Sequence, residues 1–149
     1  MRTAFLGIGC LVYVLCGCSL LAGDAVTVEI LIYSGRENPR WVVAESNDVK
    51  SLVGQLQSSL ESTNQPAGWS RLGFQGFVLH GLNGEGLAGD VRVFQGVIGT
   101  HEGTNAKFLK DKTGVEQKLV IMAGKQKLNE TVRDAIEKHA KARNMQIAD

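Results

Sequence analysis

Apolar and polar residues alternate from Val26 onward. Val26, Val28, Ile30 and Ile32 fall on one side, with Thr27, Glu29, Leu31 and Tyr33 on the other. That period of two predicts a strand. A loop from Ser34 to Pro39 follows, and Trp41-Val42-Val43-Ala44 reads as a short extended piece. The period then changes. Behind Asn47, a residue suited to an N-cap, Val49, Leu52, Val53, Leu56 and Leu60 follow helical spacing. Ser62 to Ser70 is a polar loop, and Leu72 to Leu82 reads as a second strand. Asn83-Gly84 predicts a hairpin, because that pair accepts the positive φ angles of a type I′ turn. The returning strand is expected from Val91 to Ile98, a second turn at His101 to Asn105, and a short third strand at Phe108-Leu109.

Val115, Leu119, Met122 and Ala123 suit a helix ending at Gly124, although the run from Leu119 to Ala123 fits a strand equally well. Asn129 caps a last helix that turns Val132, Ala135, Ile136, His139 and Ala140 inward. The order β-α-β-β-(β)-α-α predicts an α+β fold, a small and mainly antiparallel sheet packed with about three helices. It occupies residues 24–149 as one domain, which the 149-residue length allows.

The first 22 residues break this pattern. One Arg is followed by an uncharged apolar run, the composition of an export signal. Three readings are open. Leu15-Cys16-Gly17-Cys18 resembles the bacterial lipobox, with Cys18 as the lipidated residue and Cys16 where Ala or Ser is usual. An ordinary cleaved signal is the second. An uncleaved anchor is the third, since Ala4 to Ala22 is long enough to span a bilayer. The expectation taken forward is a lipid-anchored protein of the bacterial cell envelope, facing the periplasm. Cys10, Cys16 and Cys18 are the only cysteines, so the domain beyond them has neither a disulfide nor a thiolate metal ligand.

Composition changes this picture little. Hydrophobic residues make up 44% of the chain and charged residues 21%, which is globular rather than disordered. A formal net charge of +1 gives no reason to expect nucleic acid as a partner. Cationic residues gather from His101 onward, which is usually a solvated helix surface. The expected partners are the membrane, through the N-terminal segment, and an anionic or sugar-like ligand.

The segment Tyr33-Ser34-Gly35-Arg36-Glu37-Asn38-Pro39-Arg40-Trp41, followed by Leu72-Gly73-Phe74-Gln75-Gly76-Phe77, resembles a bacterial family of exported proteins that carry SGRxNPxW and LGYxGF-like patterns. Glu37 stands where that pattern leads one to expect proline. The resemblance covers Val26 to about Val78, and the tail only through Lys110 to Leu119. It implies a fold grouping and brings no activity, ligand or cofactor.

Two readings of the opening loop compete. Arg36, Asn38 and Trp41 can form a ligand-binding surface, since Arg supplies a planar fork of donors and Trp a stacking face. Alternatively the residues are structural. Gly35 permits a tight turn, Asn38 bonds nearby backbone, Pro39 holds Asn38 extended, Trp41 packs on the following helix and Arg36 pairs with a carboxylate. His80, His101 and His139 show none of the H-x-H, H-x-x-x-H or H-E-x-x-H spacings. A metal site from His80, Asp90 and His101 would need three ligands to converge across a hairpin, and no metal or other cofactor is expected. No G-x-S-x-G, P-loop or dinucleotide fingerprint occurs, so catalytic residues are not assigned. The function expected is a non-enzymatic binding or structural module. The alternative is a small periplasmic hydrolase or lyase using His80 or His101 with a carboxylate.

Overall fold

The computed structural model describes residues 25–33, 35–66, 72–84, 87–102 and 105–147. In chain order the elements are β1 (Val26–Ile30), β2 (Arg40–Val43), α1 (Ser46–Gln57), β3 (Phe77–Gly84), β4 (Leu87–Phe94), β5 (Val97–Glu102), β6 (Asn105–Lys110), α2 (Val115–Gly124) and α3 (Glu130–Ala142). The fold is α+β. The strands make one sheet in the order β2-β1-β3-β4-β5-β6, with every neighbouring pair antiparallel.

Alternation decides which face is buried. Val28 on β1 stands opposite Leu79 on β3, and Leu79 opposite Val91 on β4. These side chains share one core with Leu52 of α1, Leu119 of α2 and Ile136 of α3. Each fully buried aliphatic side chain contributes about 1.5–3 kcal/mol relative to exposure. α2 touches both α1 and α3 and lies against β4. The helices therefore cover one face of the sheet, and the residues out of phase with the core, Glu29, Arg40 and His80 among them, fall on the other.

Several boundaries differ from expectation. The extended piece around Trp41 is a paired strand, β2. Helix α1 starts at Ser46 with Glu45 at the N-cap and no side-chain cap bond, rather than at Asn47. It ends at Gln57, so Leu60 is not inward but 82% exposed. The chain then leaves the helix to bridge Ser62 to Leu109 on β6. The second strand begins at Phe77 rather than Leu72, which is exposed. Gly76 explains the late start. Its φ is +94°, its carbonyl accepts from the Leu31 N–H, and a Cβ there would lie 2.3 Å from the Val93 carbonyl oxygen. Only glycine fits that approach.

The β3–β4 pairing runs past Asn83 to Gly84 opposite Leu87. Asn83 and Gly84 are therefore paired strand residues rather than the turn, and residues 85 and 86 lie outside the described residues. The returning strand expected from Val91 to Ile98 is two strands. Gln95 (φ 53°) and Gly96 (φ 72°) form a two-residue turn between Phe94 and Val97. Positive φ at both positions is the type I′ signature. The third strand is longer than Phe108-Leu109, and the run from Leu119 to Ala123 is helical. Asn129 caps α3 as expected, its Oδ1 accepting from the Val132 N–H at 2.9 Å. The leader with Cys18, residues 67–70 of the polar loop and Gly103-Thr104 of the second turn lie outside the described residues. No helix among the described residues is long and apolar enough to cross a membrane.

Candidate functional site on the open face of the sheet

The face that none of the described helices covers carries a line of charged side chains across four strands. Glu29 sits in the middle of β1, directly opposite Arg40 on β2 and Val78 on β3. Its neighbour Thr27 is opposite His80. Directly opposed residues in an antiparallel pair present their side chains on the same face. His80 lies within a register shift between Leu79 and Leu82, a β-bulge in which Gly81 has φ +79°. Such bulges re-aim side chains. Here His80 lies between Glu29 and Asp90 of β4.

The distances define one connected array. Arg40 donates to Glu29 Oε2 at 2.9 Å, and His80 Nε2 lies 2.8 Å from the same oxygen. The other ring nitrogen, Nδ1, lies 2.8 Å from Asp90 Oδ1. Asn38 Nδ2 donates to Glu29 Oε1 at 2.8 Å. Asn38 Oδ1 in turn accepts from the backbone N–H groups of Ile32, at 3.2 Å, and Tyr33, at 3.0 Å. Glu29 is thus the hub that ties the opening loop to the sheet, and it is 7% exposed. Asp90, at the other end, is 61% exposed.

Protonation follows from this geometry. Desolvation pushes the Glu29 carboxyl up, but the bonds from Asn38 and His80 and the Arg40 charge outweigh it, and its pKa lies below the ordinary carboxylate value. Desolvation pushes His80 down, but its bonds to Glu29 and Asp90 and their charges win, and its pKa is raised above 6.5. An imidazole facing a carboxylate at each nitrogen is satisfied only as the imidazolium, a donor at both positions. In that state it has no lone pair to act as a base. The two carboxylates also lie at opposite edges of the ring, so they and one ring nitrogen cannot converge on a single ion. Among the described residues no group of His, Asp and Glu side chains has metal-binding geometry.

The residues expected in the ligand surface go to different places. Asn38 is committed to Glu29 and the loop backbone. Arg36 is exposed with its guanidinium carbon 4.6 Å from the centre of the Tyr33 ring, where a carboxylate partner had been expected. Trp41 is opposite Val28, on the helix side of the sheet, and meets Phe77 edge-on at 6.3 Å. Its Nε1 is buried without a hydrogen-bond partner. With Val43, Glu45, Asp48, Met122 and Lys125 it lines a groove of about 250 Å³ between β2 and the helices. His80 and Asp90 do come together. His101 is in β5, and its side chain lies outside the described residues. His139 pairs with buried Glu116 at 2.8 Å, on the inward side of α3 as expected.

Glu29 and Arg40 escaped the sequence reading. Glu29 is an acid at an outward strand position, where an acid is ordinary, and Arg40 lies beyond the turn. Only the β1–β2 register brings them together. No known protein family, no curated protein and no solved structure matches the chain.

Proposed function

We propose that the protein is an envelope-anchored lipoprotein, tethered through Cys18, whose α+β domain is a non-enzymatic binding or structural module facing the periplasm. The leader composition and the Leu15 to Cys18 pattern support the tether. The observation that carries the module reading is the engagement of both His80 ring nitrogens by carboxylates. It makes the array a fixed set of alternating charges rather than a poised base. An anionic or sugar-like ligand would meet Arg36, exposed over the Tyr33 ring, as its first cation.

Two measurements test this. Mass spectrometry of membrane-extracted protein is expected to show an acylated N-terminal Cys18, and an unmodified N-terminus beyond Cys18 refutes the tether. NMR titration of His80 is expected to give a pKa above its ordinary 6.5.

One observation favours the second reading, a hydrolase or lyase. Asp90 is exposed, so its departure would free Nδ1 while buried Glu29 still oriented the ring. A His80 pKa at or below 6.5, together with hydrolytic activity lost in His80→Ala, would decide for that reading.

A further inference from the structure

His80 is held from both sides by strand neighbours, and the two sides are not alike. The pairing of Leu79 with Val91 is followed by that of Leu82 with Gly89, so His80 and Gly81 together stand against Asp90 alone. That extra residue is the bulge, and it sets the ring between β1 and β4. Toward β1, Nε2 lies 2.8 Å from Glu29 Oε2, the oxygen that Arg40 of β2 also reaches at 2.9 Å. Toward β4, Nδ1 lies 2.8 Å from Asp90 Oδ1. Among the described residues the charged groups that face the ring are Glu29 and Asp90, with Arg40 behind Glu29. Arg92, further along β4, donates to the Gln75 backbone carbonyl at 2.9 Å.

Solvent separates the two carboxylates. The Glu29 side chain is 9% exposed and that of Asp90 61%. A neutral imidazole donates from one nitrogen only, so a ring that loses a proton gives up one of these contacts. At Glu29 the bare nitrogen would face a carboxylate that water barely reaches, and a buried group left without its partner is expensive. At Asp90 water takes the place of the lost donor.

We propose that His80 and Asp90 form a proton-operated clasp on this face of the sheet. With a proton on Nδ1 the clasp is shut. Without it Asp90 turns to solvent, while Glu29 keeps the ring in place through Nε2–H. Shut, Arg40 and His80 balance Glu29 and Asp90; open, the same four side chains carry one net negative charge, and Nδ1 presents a lone pair to solvent. Burial lowers the His80 pKa, but the bonds and charges of Glu29 and Asp90 outweigh it and raise it above 6.5, so the clasp opens on the alkaline side of that value. The inference rests on the module reading, in which the ring holds both protons, and adds regulation of the array by pH.

The test is NMR of the full chain in detergent micelles with isotopically labelled histidines, the His80 signals being assigned by their loss in His80→Gln. Long-range couplings between ring protons and ring nitrogens show which nitrogen keeps its proton as pH rises above 6.5. Neutral His80 is expected as the Nε2–H tautomer. Asp90→Asn, at an exposed position, is expected to shift the His80 titration downward without changing that tautomer. The proposal is overturned if neutral His80 carries its proton on Nδ1 or shares it equally between the two nitrogens. It is also overturned if Asp90→Asn leaves the titration where it stands, since Asp90 then takes no part in holding the proton. A titration at or below 6.5 fails the clasp and the module reading together, whereas a titration above 6.5 with the wrong tautomer fails the clasp alone.

Discussion

The Glu29 array on the open face and the Glu116 cluster under the β4–β5 turn use the same chemistry in different surroundings. Each centres on a carboxylate that holds a histidine at 2.8 Å and an arginine. Glu116 is 1% exposed. It accepts from the backbone N–H groups of Gln95, at 2.8 Å, and Gly96, at 2.7 Å. His139, beside it, stacks on Phe94 with ring centres 5.3 Å apart. Desolvation pushes Glu116 up, but the bonds from His139 and Gly96 and the charges of His139 and Arg143 hold its pKa below the ordinary value. This carboxylate fastens α2 and α3 to a turn whose Gln95 has positive φ, an uncommon conformation for a side-chain-bearing residue. Glu29, by contrast, fastens a surface loop and ends its chain of contacts at an exposed aspartate. The difference is solvent. Where water is shut out, losing one partner leaves a charge or donor stranded. Where water can enter, it takes the partner's place.

That contrast can be broken by mutation. Glu116→Ala removes the acceptor for two backbone N–H groups and a histidine, and breaking a buried pair of this kind costs about 3–5 kcal/mol. Urea melts should show that loss, and a variant melting within about 0.5 kcal/mol of the parent would mean the turn holds itself. Glu29→Ala should cost less, about 1–3 kcal/mol, because the Arg40 and His80 ends are partly wetted. A cost equal to that of Glu116→Ala would erase the distinction.

The pH dependence sharpens it further. His80 has a raised folded pKa, so its stabilising contribution is complete below 6.5 and lost as pH rises through the folded value. Glu29 and Glu116 have depressed pKa values, so theirs are present above 4.5 and lost as pH falls through the folded values. The stability difference between the parent and His80→Gln should accordingly shrink as pH rises from 6.5 through the raised folded value. A difference constant across that range would show that His80 does not titrate with folding. The smallest effect is expected at Arg36. An exposed guanidinium over a tyrosine ring contributes about 0.5–1 kcal/mol at most, so Arg36→Ala should barely move the urea midpoint. A larger loss would mean that Arg36 holds the loop through more than its contact with the Tyr33 ring.

Much was legible in local pattern. The period of two placed β1, the helical spacing of Leu52 with Leu56 placed α1, and Asn129 announced α3, whereas the run from Leu119 to Ala123 fitted a strand as well as the helix α2 that it forms. These features depend on neighbours within one or two turns of chain, so the residues themselves carry the signal. The α+β class followed from their order.

The tertiary structure decided the rest. Val91 to Ile98 reads as one apolar strand, yet it folds back at Gln95-Gly96, because Glu116 on a distant helix supplies the acceptors that hold the turn. Gly76 is a motif residue in sequence. Its necessity becomes visible only when the Val93 carbonyl arrives from β4. Glu29 lies far from His80 and Asp90 in the chain, and nothing local marks it as belonging with them. Strand register brings them together, and register is a property of the whole sheet, since a one-residue slip in any pairing would turn each of these side chains to the other face.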